Sequence, residues 1–173
     1  MRGRSKKEAG ARRYLSAARA AIVIRLYEDR DRDEVWRLHV EAQTELGFPY
    51  DIPERDGDLK QIPQAYGQAG ARFWVAEAGA GPIATAGVRR VDTETAELKR
   101  MRVTARYRRK GVAEHLLRTA ERFCREHGYT RIVLETTGRQ EAARALYEKN
   151  GYKPNGTRLM GTFTAYDYVK ELT

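Results

Sequence analysis

Apolar and polar positions change their spacing several times along the chain, and each change marks an expected element. Ile22 to Leu26, Arg72 to Ala78 and Ile83 to Val91 are short runs of strand formers, the last two joined by a turn at Gly79 to Pro82. Asp92 to Thr95 turns the chain into a further strand from Glu97 to Val103. Between the first two strands, Asp31 or Asp33 is placed to cap a helix carrying Val35, Trp36, Leu38, His39 and Val40 on to Leu46, and Gly47 to Pro53 breaks it. The stretch 51 to 70 reads as a loop with a short helix around Leu59 to Tyr66.

Beyond Val103 the pattern becomes alternating helix and strand. Ala113, Leu116, Leu117, Ala120, Phe123 and Cys124 form the apolar stripe of an amphipathic helix from Gly111 to His127, stopped by Gly128. Ile132 to Glu135 predicts a short buried strand, and Gln140 to Lys149 a second helix that ends at Asn150-Gly151, a pair tolerant of the left-handed conformation. Thr157 to Phe163 and Ala165 to Leu172 read as two final strands. These elements predict an α/β (α+β) domain: a mixed, mostly antiparallel central sheet with helices on both faces. Its strand, helix, strand unit from 97 to 135 should be a right-handed parallel crossover.

The 173 residues suffice for one such domain, assigned to 21–173. Residues 1–20 are too polar to pack and read as a flexible basic extension; an organellar transit peptide would look similar. No apolar run is long enough to span a membrane, and one cysteine, Cys124, cannot form an internal disulfide. A cytoplasmic, reducing location is therefore expected. Cys124 on the helical stripe reads as a buried hydrophobe, and His39, His115 and His127 lack zinc-site spacing, so no metal is expected.

The net charge of +9 raises the prospect of a nucleic-acid partner. Its distribution argues otherwise: residues 1–20 hold seven Lys/Arg and one Glu, residues 98–111 hold seven more with no acid, and the remainder is mildly acidic. Nor is there the aromatic interleaving of a base-reading surface.

The second basic cluster carries the chemistry. The strand Glu97-Leu98-Lys99-Arg100-Met101-Arg102-Val103 runs through Thr104 to Tyr107 into Arg108-Arg109-Lys110-Gly111-Val112-Ala113, which opens the amphipathic helix. A helix N-terminus presents unpaired N–H groups and a positive dipole end, and Gly111 and Ala113 would let a phosphate come close to the backbone. The pattern is neither a Walker loop nor GxGxxG. Taken alone, it is equally a solvated basic loop with a glycine easing the turn.

Arg108-x-x-Gly111-x-Ala113 after that strand resembles the pyrophosphate signature of the GNAT superfamily of N-acetyltransferases, usually Arg or Gln, two residues, Gly, one residue, Gly or Ala. Leu134 to Gln140 followed by Ala143 to Tyr152, with Leu146-Tyr147 and Gly151-Tyr152, resembles the family's second block in the same order and spacing. The resemblance implies an acetyl-CoA-dependent N-acetyltransferase. It places the thioester and pantetheine on main-chain groups of Met101, Arg102 and Val103, and the pyrophosphate on Arg108, Arg109, Lys110, Gly111, Val112 and Ala113. A β-bulge, usual there in the family, would relieve a conflict, since strict alternation sends Glu97, Lys99, Met101 and Val103 to one face.

The resemblance further implies that Tyr147 protonates the departing thiolate, the alternative being an aromatic packing residue. Glu97 matches the strand position that in some members supplies a base for the acceptor ammonium; the alternative is an exposed glutamate beside Lys99. Gln140 stands where the family often has Asn, so a bond to the pantetheine arm is expected less firmly. The acceptor is an amine of a small molecule or a protein, which the sequence does not name. The acidic segment Asp51 to Asp58 is either a solvated loop or an attraction for a cation. A non-catalytic acyl-CoA-binding module and a homodimer both stay open.

Overall fold

The computed structural model describes residues 21–79 and 81–172, so the extension assigned to residues 1–20 lies outside the described residues. Seven strands form one sheet: β1 (Val23–Leu26), β2 (Arg72–Glu77), β3 (Pro82–Arg90), β4 (Thr95–Val103), β5 (Arg131–Thr137), β6 (Lys153–Met160) and β7 (Phe163–Glu171), in the order β1-β2-β3-β4-β5-β7-β6. All neighbours are antiparallel except β4 and β5, which are parallel, as the strand, helix, strand unit requires. The helices are α1 (Arg32–Glu45), α2 (Pro53–Lys60), α3 (Ile62–Tyr66), α4 (Val112–Glu126) and α5 (Glu141–Lys149).

Alternation along the strands sends side chains to two separate cores. Trp74, Ala76, Ala84, Ala86, Val88, Ala96 and Leu98 face the stripe of α4, where Leu116, Leu117, Ala120 and Cys124 are fully buried, and Tyr147 of α5 joins this cluster. Phe73 and Val75 face the opposite way, onto Val35 of α1, Leu59 of α2, and Ile62 and Tyr66 of α3. The expected mixed sheet with helices on both faces is what forms.

Three expectations need correction. The stretch 51–70 is not a loop with one short helix: Pro53, fixed in φ at the first helical turn, starts α2, and α3 follows it directly. Of its acidic residues Asp51 and Glu54 are exposed, as a solvated segment requires, but Asp56 is fully buried and Asp58 nearly so at its side chain. The penultimate strand begins at Lys153, before the predicted Thr157, and its side chains are exposed throughout, so no hydrophobic alternation marks its start.

The feature that positions the site is an irregularity in β4. Opposite β3, Thr85 pairs with Arg102 but Gly87 pairs with Lys99, so β4 carries one extra residue at a β-bulge. Arg100 lies there with φ 58°, a left-handed backbone unusual for a residue with a side chain. The bulge switches the alternation. Glu97 and Lys99 share the face of Arg89 and Gly87, on the α1–α3 side, whereas Met101 and Val103 pack into the α4 core. The conflict posed by strict alternation is thereby removed.

Gly87 is the position at which the α3 side fits most closely. A Cβ there would lie 2.7 Å from Tyr66 Cε1 and 3.0 Å from Phe73 Cδ2, two rings already in edge contact. Gly87→Ala is therefore expected to lower stability by about 1–3 kcal/mol through overpacking. Denaturant unfolding checks this, and an unchanged midpoint would mean that the rings move aside freely.

Candidate active site

The bulge is held from outside the sheet. Arg100 is buried, and its Nε donates to Asp58 Oδ2 at 3.0 Å, its second nitrogen also bonds Asp58, and Nη1 reaches Asp56 Oδ1 at 3.3 Å. Thr85 Oγ1 donates to the Arg100 carbonyl at 2.7 Å, and the Tyr66 hydroxyl donates to Asp58. Burial alone would raise the Asp58 carboxyl, but the bonds from Arg100 and Tyr66 outweigh it and hold it below the usual carboxylate range. Asp56 is held low in the same way against its burial, by Arg55 and the Ile52 amide.

Past the bulge, β4 parts from β5. Their pairing runs from Thr95 opposite Arg131 to Leu98 opposite Leu134 and then stops, although β4 continues to Val103 and β5 to Thr137. On its β5 side, Lys99–Val103 therefore has main-chain groups without a ladder partner. Between the separated ends lies a cleft of about 200 Å³. Its walls include Glu97, Met101 and Arg102 from β4, Thr136 and Thr137 from β5, and Gln140 and Tyr147 from α5. Phe48 and Phe163, with ring centroids 4.7 Å apart, close the far side together with Met160. Arg139 reaches across from the β5–α5 loop to the Leu46 carbonyl at 2.7 Å and lies over Phe48.

Of the residues singled out in the sequence, Glu97, Met101, Arg102, Gln140 and Tyr147 thus meet in one cleft. Val103 and Arg108 to Ala113 lie beyond its lining, on the segment that leads from β4 into α4. That segment is shaped for an anion: Arg109 (φ 57°) and Gly111 (φ 80°) are left-handed, and α4 has no side-chain cap. The first helical bond comes from the His115 amide to the Gly111 carbonyl, so the amides of Val112, Ala113 and Glu114 precede the helical ladder. A Cβ at Gly111 would meet nothing within 4 Å, leaving the approach open. The Arg108 side chain is turned to the Val103 carbonyl and to Glu45.

Tyr147 is buried, its ring 5.7 Å from that of Tyr152 and 6.3 Å from that of Tyr168. Burial pushes its hydroxyl up to about 12, against the pull of nearby Arg102, so it stays protonated at neutral pH. Gln140 Oε1 accepts from Thr136 Oγ1, the Thr137 amide and Thr137 Oγ1, each at 3.2 Å, which leaves its NH₂ for a ligand. Glu97 lies 3.3 Å from Lys99 Nζ. Cys124 is fully buried and its thiol is pushed up to about 12 by burial, unsuited to attack. Among the described residues no group of three His, Cys, Asp or Glu is arranged for a metal, and no helix is long and apolar enough to cross a membrane.

Sequence reasoning missed the far wall. Phe48 comes from the α1–α2 connection, Arg55 from α2, and Met160 and Phe163 from the ends of β6 and β7 that flank their turn, and no local spacing links these segments to the β4 motif. It also treated Arg102 as a main-chain contributor only and assigned nothing to its side chain, whose Nη1 donates to the Met101 carbonyl at 2.8 Å.

The family described as Acetyltransferase (GNAT) family matches residues 26–152. Rat (Rattus norvegicus) N-acetyltransferase 8F1 is 35% identical over 111 residues, covering 61% of this chain and 50% of the relative. Human (Homo sapiens) N-acetyltransferase 8 is 35% identical over 105 residues, covering 57% and 46%. The chain spans about half the length of these relatives. Among solved structures, an acetyltransferase of the GNAT family from Staphylococcus aureus Mu50 superposes with TM-score 0.80 at 24% identity, covering 88% of this chain and all of that one. A Salmonella typhimurium protein solved with its cofactor acetyl-CoA gives 0.72 at 18% identity, covering 88% and 95%.

The buried cluster behind the cleft predicts an acid sensitivity. His39 is fully buried, 3.4 Å from Asp56; burial, aided by the charges of Arg102 and Arg100, outweighs Asp56 and pulls its imidazole from 6.5 down to about 4. The unfolded chain then takes up a proton near pH 6.5 that the folded chain refuses until about pH 4. Stability is therefore lost as pH falls through that window, by on the order of 2–3 kcal/mol. Urea unfolding between pH 7 and 5 should show the decline in the parent and little of it in His39→Gln. An equal decline in both would assign it to other groups.

Proposed function

The chain belongs to the GNAT acetyltransferase family, and on that premise we propose that it transfers an acetyl group from acetyl-CoA to a primary amine, which attacks the thioester directly. The observation that carries the reading is the continuity of three features. Unpaired main chain after the β4 bulge shares a cleft with Tyr147 and continues along the chain into the uncapped left-handed loop before α4. The residues fit acetyl-CoA: amides from Arg109 to Ala113 would hold the pyrophosphate, the Arg108 amide being bonded to the Ala105 carbonyl, main-chain groups of Met101, Arg102 and Val103 the pantetheine and thioester, and the free amide of Gln140 the pantetheine arm. Bound acetyl-CoA supplies an acyl group activated as a thioester.

The chain's own residues then have distinct tasks. Glu97, in the cleft wall, takes the proton that an ammonium must lose before it attacks, directly or through water. A main-chain donor near Met101 meets charge developing on the thioester oxygen, and Tyr147 gives its proton to the sulfur. The names of the rat and human relatives, and the acetyl-CoA of the Salmonella typhimurium neighbour, support the same reading. The acceptor is an amine on a small molecule or a protein, and a cytoplasmic location suits the free thiol of Cys124. A non-catalytic acyl-CoA-binding module is less favoured, because it has no need of a tyrosine in the lining of the cleft, where Tyr147 lies.

Tyr147→Phe separates the two. The ring contacts with Tyr152 and Tyr168 persist, so acetyl-CoA should raise the melting temperature as in the parent. Release of free thiol from acetyl-CoA, measured with an accepted amine, should fall by roughly 10²-fold or more. Full activity in a folded Phe variant would return Tyr147 to packing, and absence of thiol release from the parent across an amine panel would favour the binding module.

A further inference from the structure

Arg102 is the exception to the charge pairing inside the cleft. Its Nη1 donates to the neighbouring Met101 carbonyl at 2.8 Å, but its Nε is completely shielded and has no hydrogen-bond partner. Among the described residues no carboxylate forms an ion pair with it. Arg100, two positions earlier, shows what a satisfied buried guanidinium looks like here, with Asp56 and Asp58 both engaged. Those acids are taken: Asp56 also serves Arg55 and the Ile52 amide, and Asp58 also accepts from Tyr66. His39 on the same side is neutral above about pH 4. A buried guanidinium without a counter-charge is costly, and it is kept at the cleft wall, pointing to an anion brought by a ligand.

The phosphates assigned above lie at the α4 terminus, outside the cleft lining, and a thioester carries no charge, so the anion falls to the acceptor. We infer that Arg102 is a specificity determinant that binds a carboxylate close to the acceptor's amine, so that the acceptor is an amino acid rather than a simple amine or a protein amine. The assignment rests on the acetyltransferase reading. With Nε shielded, the Nη1–Nη2 edge of the guanidinium is the one that meets a carboxylate, in two parallel bonds, and Arg102 is adjacent in sequence to Met101, where the acyl group is assigned. A ligand held at both points must have its amine and carboxylate within a short span. Phe48, Phe163 and Met160 offer an apolar wall for its side chain. Arg55 and Lys99 in the same lining are each paired with a carboxylate, Asp56 and Glu97, and Glu135 of the lining pairs with Arg158, so the unmatched positive charge there is that of Arg102.

The test compares matched probes: the twenty amino acids, their amides, phenethylamine and phosphoethanolamine as acceptors, read by thiol release. The carboxylate form of the preferred amino acid should exceed its amide in kcat/KM by roughly 10- to 100-fold. Arg102→Leu should bring that ratio near one, with acetyl-CoA stabilisation retained because the main chain holds the cofactor. Arg102→Lys, which keeps charge without the fork, should recover part of it. A ratio near one in the parent, a ratio unchanged in Arg102→Leu, or phosphoethanolamine surpassing every amino acid would overturn the assignment.

A binding arm separates it from the transfer reading. In the presence of CoA, the N-acetyl amino acids should stabilise the parent more than their amides, and Arg102→Leu should erase the difference. If no amine is acetylated, the transfer reading fails by itself, and this arm still decides for or against a carboxylate at Arg102.

Discussion

Arg100 holds the structure of the site together through one strained residue and two buried carboxylates. A left-handed backbone at a residue with a side chain costs about 1–3 kcal/mol, and it persists only where its surroundings fix it. Here Asp58 and Asp56 bind the guanidinium while Thr85 binds the carbonyl of the same residue. Charge-assisted bonds in a shielded setting are among the stronger polar interactions, and they tie α2 to the middle of the sheet. Removing either side would leave a buried charge unmatched.

The geometry of the cleft follows from that extra residue in β4. It turns Met101 and Val103 toward the α4 core and leaves Arg102 on the α1 side, so one strand serves both sides of the cleft. It coincides with the end of the β4–β5 pairing, which releases main-chain groups from the ladder. The same strand then delivers the chain into the loop before α4. The side proposed for acetyl-CoA is thus built from one continuous segment, 97–113, with α5 added, and the facing wall from α2, the α1–α2 connection and the residues flanking the β6–β7 turn.

This division explains what was legible in the sequence. The donor half could be read because its determinants are local: a strand, a basic loop, Gly111 and an amphipathic stripe follow one another without interruption. The need for a bulge was also visible, in the mixed chemistry of Glu97, Lys99, Met101 and Val103. Its anchor was not, since Asp56 and Asp58 lie more than forty residues before Arg100 in a segment with prolines, glycines and few apolar residues. Their acidity resembles that of a solvated loop until the partner is known. Helix α2 was missed for the same reason, as only Leu59 of its residues enters the hydrophobic core. The side-chain role proposed for Arg102 was hidden because its motif position is explained by main chain alone.

The central claim is that the opening of β4 from β5 past Leu98 receives the pantetheine arm. Hydrogen exchange of individual backbone amides, with and without CoA, tests it most directly. The amides of Lys99 to Val103 that face β5 have no ladder partner there and should exchange quickly in the free protein, then slow markedly when CoA is added, together with those of Val112 and Ala113. Protection confined to the α4 terminus, with Lys99 to Val103 unchanged by saturating CoA, would contradict it and leave the cleft without its proposed occupant.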